Sequence, residues 1–213
     1  MTNYEISEEF ERQVKNLIQK DYPKAAGLSI AQFLKLIEPL KKKLAGLKLP
    51  QVNLETGVIP FVLVIQRNLV PSEKAMELLE FNNKPGITKL HPLEPADFTT
   101  IGSISIPDSP IYLLVDIDRG KETLNVRPQD ALKIITKQNR SPLTIDEGIA
   151  IITQFPEFLI KNNCFSLLAS RHIGDQRVPA IWINASKQAN LGWCWDGNPH
   201  TWLGSASAGT RIG

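Results

Sequence analysis

From position 58 to position 65 the chain reads Val-Ile-Pro-Phe-Val-Leu-Val-Ile, eight residues without a charge and rich in β-branched side chains. A strand with one face in water alternates apolar and polar residues. This run is apolar on both faces, which suits a central strand covered by helices. It is far short of the roughly 20 residues that a helix needs to span a bilayer, and Pro60 interrupts it. The stretch Ile111 to Ile117 is predicted as a second strand, so the chain is expected to hold a buried sheet and to have no membrane partner.

The covering helices are expected mainly at the start. Ser7 is placed to cap a first helix, with Glu8 and Glu9 at its positive end and Phe10, Val14, Leu17 and Ile18 on one face, up to Asp21-Tyr22-Pro23. A second begins at Ser29 with Gln32 as capping partner and Ile30, Phe33, Leu34 and Ile37 as its stripe. Pro39 is expected to kink or restart it, and Lys41-Lys42-Lys43 reads as its solvated basic end. Further helices are predicted from Ser72 to Phe81, from Pro128 to Gln138, and from the Thr144/Glu147 capping box through Ile145, Ile149 and Ile152 to a stop at Pro156.

Residues 87–110 are proline-rich and read as a long connection with one strand, Thr100 to Ile106. After Asn162-Asn163 the pattern becomes an antiparallel meander: Cys164 to Arg171, Val178 to Asn184 and Leu191 to Trp195. The expected class is α+β: a helical N-terminal portion (1–50) packed on a mixed or antiparallel sheet with a C-terminal β-meander (56–213). No repeat or linker divides the chain, so residues 1–213 are read as one domain.

A formal charge of +2 is too small to imply a nucleic-acid partner. The acidic opening lacks the basic and apolar segments of an export signal. Two cysteines, Cys164 and Cys194, are too few for a disulfide framework. The expected location is therefore cytoplasmic, with both thiols free.

The last 32 residues, from Trp182, hold all four tryptophans and only three charged residues, Lys187, Asp196 and Arg211. Such a segment is not a solvated tail. Either its aromatics close the core, or some of them line a pocket. Strand alternation puts Trp193 and Trp195 on one face and Cys194 on the other.

Chemistry-bearing residues are few. Leu113 to Asp118 is an apolar strand ending in two carboxylates, Asp116 and Asp118, on one face, a geometry able to hold a divalent metal or position a nucleophile. The run is similar to the first motif of haloacid-dehalogenase-like phosphotransferases but departs from it at Gly120, where that family has Thr or Val. Cys164, His172, Cys194 and His200 lack the tight clip of a zinc site, so no metal and no cofactor is expected. Cys194 and His200 flank a Gly-Asn-Pro turn and form a candidate thiol–imidazole pair, with Asp196 or Asn198 to orient the ring. The tail Gly204 to Arg211 breaks the phosphate-loop pattern, ending in Thr-Arg where Lys then Ser or Thr is needed. Arg171 and Arg177 bracket a turn as a candidate anion clamp, beside the plainer reading of exposed hairpin charges.

Four runs carry a resemblance: Leu-Leu-Val-Asp-Ile-Asp-Arg-Gly, Arg-Ser-Pro-Leu-Thr-Ile-Asp-Glu-Gly-Ile-Ala, Asn-Cys-Phe-Ser-Leu-Leu-Ala-Ser-Arg and Leu-Gly-Trp-Cys-Trp-Asp-Gly-Asn-Pro-His-Thr-Trp-Leu-Gly-Ser-Ala-Ser. Together they resemble a bacterial family of uncharacterised proteins, a domain of unknown function, which implies no catalytic assignment. From the residues, the leading expectation is a small-molecule or peptide-binding module. Its pocket would combine Trp182, Trp195 or Trp202 with Asp116, Asp118, Arg171, Asn198 and His200. A hydrolase or transferase using Cys194 or Asp116 with His200 stands second, and a scaffold without a ligand third.

Overall fold

The computed structural model describes residues 1–213. Helix α1 (Asn3–Gln19) starts four residues before Ser7, because Thr2 and Glu5 form a reciprocal capping box that satisfies two free amides at the helix start. Its buried face is Ile6, Phe10, Gln13, Val14 and Leu17. A single turn, α2 (Tyr22–Ala25), leads into α3 (Ile30–Lys43), which carries the Ser29/Gln32 box. Helix α3 runs unbroken through Pro39, which lies on its exposed side, where water can reach the carbonyl that proline leaves without a donor. The buried stripe is Phe33, Ile37 and Leu40, narrower than expected, and Ile30 and Leu34 stand 52% and 39% exposed.

Strand β1 (Val58–Ile65) is buried at seven of its eight positions. Helix α4 (Ser72–Leu78) is shorter than predicted and has Pro71 at its cap, since the Ser72 hydroxyl donates to Asp146 Oδ1 at 2.8 Å. Short strands β2 (Glu80–Phe81), β3 (Lys84–Pro85), β4 (Ile87–Thr88) and β5 (Thr99–Thr100) follow. The expected strand Thr100 to Ile106 is thus two residues long, and beyond it the chain turns. Then come β6 (Ile111–Asp118), α5 (Pro128–Lys137), β7 (Ser141–Pro142) and α6 (Ile145–Gln154) with its Thr144/Glu147 box. The predicted strand Cys164 to Arg171 divides into β8 (Cys164–Ser166) and β9 (Ser170–Arg171), because Leu167, Leu168 and Ala169 turn into the core between them. The chain ends in β10 (Arg177–Ile183), β11 (Ala189–Trp195), β12 (Leu203–Ser205) and β13 (Ser207–Ile212).

Two main sheets result. One has the order β1-β6-β13-β7 with antiparallel pairing throughout. The other has the order β12-β8-β10-β11-β4, antiparallel in its β8-β10-β11 centre and parallel at both outer pairs. This is the expected α+β fold with a mixed sheet. The last strand, β13, is an inner strand between β6 and β7, so the C-terminal segment is woven into the sheet. One cluster of 53 buried residues extends from Ile6 to Ala208 through both sheets. No helix is long and apolar enough to cross a membrane.

Arg119, directly after β6, is fully buried without a carboxylate bonded to it. Its guanidinium donates to the carbonyls of Phe158 (2.9 Å), Leu54 (2.7 Å) and Glu55 (3.2 Å) and lies over the Phe158 ring. Burial lowers its affinity for the proton, against the nearby charge of Asp118. The fork geometry of arginine lets one side chain hold three backbone acceptors and so pins the loop before β1 to the end of β6.

Candidate functional site

The β10–β11 hairpin divides the tryptophans. Antiparallel pairing sets Pro179 opposite Trp193, Arg177 opposite Trp195 and Trp182 opposite Asn190, so Trp182 projects from the face opposite to Trp193 and Trp195. Trp193 and Trp195 meet edge to face at 5.0 Å, with the Arg177 guanidinium 4.7 and 5.1 Å from their rings. Trp182 packs on Trp202 at 6.1 Å, and His200 lies 5.2 Å from Trp202. The side chain at Gly192 has to be absent, because a Cβ there would overlap the Trp182 ring. Cys194 is buried on the face opposite its tryptophan neighbours.

The single pocket expected from Trp182, Trp195, Trp202, Asp116, Asp118, Arg171, Asn198 and His200 is therefore dispersed. Trp195 is 41% exposed on one face of the hairpin, and Trp182 and Trp202 pair on the other. Arg171 is committed to Asp196 at 2.8 Å, which replaces the anion clamp, while Arg177 pairs with Asp175. Asn198 is exposed in the turn after β11. No hydrogen bond joins Cys194 to His200. The thiol instead meets the Ser166 hydroxyl at 3.9 Å, and burial pushes it up to about 11, the opposite of what a nucleophilic thiol needs. His200 accepts the Asn125 amide on its backbone carbonyl, which anchors the loop before β12. His172 bonds the Asp97 carbonyl at 3.1 Å, and Cys164 the Ile160 carbonyl at 3.4 Å.

Asp116 and Asp118 lead to a different place. Asp116 takes a left-handed φ of 56°, a conformation that costs a non-glycine residue roughly 1–2 kcal/mol. Arg140 offsets that cost with bonds to the Asp116 carboxylate (2.7 Å) and carbonyl (2.5 Å), and donates also to the Ser207 hydroxyl at 2.8 Å. Asp118 uses one oxygen, Oδ1, to accept the Gly120 amide at 2.7 Å. Gly120, at φ 84°, presses directly on the backbone of Ser205, where a Cβ would overlap it. That close approach brings the end of β6 against the β12–β13 corner.

Between them lies a cleft of about 250 Å³, lined by Asp118, Gly120, Glu122, Thr123, Ile135, Gln138, Arg140, Ser205 and Ser207. Thr123 is held at both ends, donating to the Gly120 carbonyl and accepting the Ser205 amide, both at 2.7 Å. Gln138 donates to Glu122 at 3.1 Å. Ser205 is only 3% exposed, yet among the hydrogen bonds of the fold its hydroxyl has no partner. The second carboxylate oxygen of Asp118 has none either. A family model matches residues 16–213. The chain belongs to DUF5701, a family of unknown function. Neither the curated proteins nor the solved structures hold a match to it. In this DUF5701 chain, three of the four runs that carry the resemblance meet at the cleft, through Asp118 and Gly120, Arg140, and Ser205 and Ser207.

Sequence reasoning reached Asp118 but passed over Arg140, Ser205 and Ser207. Arg140 follows a helix end, where a basic residue has an ordinary reason to be. The serines sit in a small-residue tail that reads as packing. In the sequence Glu147 reads only as the capping-box partner of Thr144. Glu147 caps α6, but it is fully buried, accepting from Tyr112 Oη (2.8 Å), Arg211 Nε (2.5 Å) and the Thr144 amide (2.8 Å). Burial and the Glu147 charge hold the Tyr112 phenol well above its usual range. Two carboxylates, Asp146 and Glu147, at the start of a strongly apolar helix, with one arginine in an otherwise uncharged last strand, are the available signal.

Proposed function

We propose that this protein is a small-molecule-binding module and that its ligand occupies the cleft between β6, α5 and the β12–β13 corner. One observation carries the reading. Ser205, only 3% exposed as a residue, lines the cavity with a hydroxyl that no group of the fold engages, and Asp118, with one carboxylate oxygen free, shares that lining. Such a hydroxyl keeps its donor and its acceptor sites available to a molecule in the cavity. The frame is rigid: Arg140 ties Asp116 to Ser207, Thr123 holds the Ser205 amide, and Gly120 packs on the Ser205 backbone. Preset polar groups of this kind orient a ligand and give it specificity. The unpaired thiols Cys164 and Cys194 support a reducing compartment, the cytoplasm, as its setting.

Support for the thiol-based or Asp116-based hydrolase is lost with its geometry, since Cys194 and Asp116 are each committed to partners other than His200. The test is a thermal-shift screen of small polar metabolites against the wild-type protein and Ser205→Ala. A ligand at 100 times its Kd raises stability by about 2.7 kcal/mol, a readily measured change in Tm. The expected result is a set of stabilising compounds whose effect falls sharply in Ser205→Ala. Compounds that stabilise both proteins equally would place binding elsewhere and refute the assignment.

A further inference from the structure

We infer that the ligand of this cleft is a small amino alcohol or amino sugar, its ammonium on Asp118 Oδ2 and an adjacent hydroxyl on Ser205 Oγ, an inference that rests on the binding reading above. The walls present acceptors far more than donors. Two carboxylates, Asp118 and Glu122, face the cleft, against the single cation Arg140. The Arg140 charge is already matched by Asp116, and its guanidinium nitrogens are bonded to Asp116 and Ser207. No other lysine, arginine or histidine lines the cavity. An anionic ligand would therefore meet uncompensated negative charge, whereas an ammonium gains a charge-assisted hydrogen bond, roughly twice as strong as a neutral one.

The remaining groups sharpen the class. Asp118 Oδ1 is held by the Gly120 amide, which fixes the carboxylate and leaves Oδ2 free. The amide of Gln138 is oriented by its bond to Glu122, leaving its carbonyl oxygen as a further acceptor. Ser205 both donates and accepts, as a hydroxyl partner requires. Ile135 is the one hydrophobic residue of the lining, so the ligand has little apolar body. A volume of about 250 Å³ lies below the roughly 300–1,000 Å³ of pockets for drug-sized ligands. A compact, polyhydroxylated amine meets all of these conditions.

The test uses three probes of one size that differ in charge: glucosamine, glucose and glucuronate, titrated into the full-length protein by calorimetry and by amide NMR shifts. The expected result is shifts at Asp118, Gly120 and Ser205, with glucosamine at least tenfold tighter than glucose and glucuronate the weakest. Asp118→Asn keeps an acceptor for the Gly120 amide and should erase the preference for glucosamine, and Glu122→Gln, at the rim, should reduce it. Glucose binding as tightly as glucosamine, or glucuronate binding best, would overturn the amine assignment while leaving the cleft as a binding site. No shift at the cleft with any of the three at millimolar concentration would overturn both.

Discussion

Arg211 and Glu147 form an ion pair with side-chain exposures of 6% and 0%, linking the last strand to the first turn of α6. Arg211 also donates to Ser141 and to the Pro142 carbonyl, so one guanidinium secures β13 to β7 and α6 together. Glu147 in turn receives the Tyr112 phenol from β6. The pair is thus the crosspiece of the four-stranded sheet.

Removing one member strands the other in the interior. Glu147→Gln or Arg211→Met should each cost about 3–5 kcal/mol, read as a drop in the urea midpoint. Deleting residues 207–213 removes the pair and an inner strand, and should abolish cooperative unfolding. A truncated protein that melts like the intact one would show that the terminus is a loose appendage, the usual fate of chain ends.

Stability should fall in alkali for an identifiable reason. Burial pushes Cys194 from its ordinary 9.0 to about 11 and Tyr22 from 10.0 to about 12. The folded protein keeps these protons where the unfolded chain has released them, so the contribution is complete below about pH 9 and is lost as pH rises toward about 12. A displacement of about two units corresponds to roughly 2–3 kcal/mol per group. The urea midpoint of the wild type should therefore decline between about pH 9 and pH 11, and that of Cys194→Ala should decline less. Parallel declines would mean that Cys194 ionises in the folded protein as freely as in the unfolded one. The same burial predicts that the native thiol resists alkylation at neutral pH and reacts once the protein is unfolded.

Gly192 lies directly against the Trp182 ring. Gly192→Ala should displace that ring from Trp202, costing about 1–3 kcal/mol and changing the near-ultraviolet dichroism of the tryptophan pair. An unchanged spectrum with unchanged stability would refute the packing described for this side of the hairpin.

The sheet and most helices were legible because their signals are local. Apolar runs at 58–65 and 111–117, the Ser29 and Thr144 capping boxes and the alternation around Cys194 each depend on neighbours in sequence. Nearness in sequence groups Trp182, Trp195 and Trp202 in one expected pocket, whereas the register of one hairpin sends Trp182 and Trp195 to opposite faces. What builds the proposed cleft around Asp118 is the contact of Gly120 with Ser205, 85 residues later, and the reach of Arg140 from the end of α5. Long-range packing of small residues leaves almost no periodic trace. The break between β8 and β9 was likewise invisible, since Leu167, Leu168 and Ala169 are as apolar as a strand would be.

Binding of a ligand in the Ser205–Asp118 cleft is tested most directly by a crystal structure of the protein soaked in a cocktail of small amines and polyols. The expected result is ordered ligand density within hydrogen-bond distance of Ser205 Oγ and Asp118 Oδ2, and none there in crystals of Ser205→Ala soaked in the same way. Density that gathers instead between Trp182 and Trp202 or over Trp195, with the cleft holding only solvent, would contradict ligand binding at the cleft.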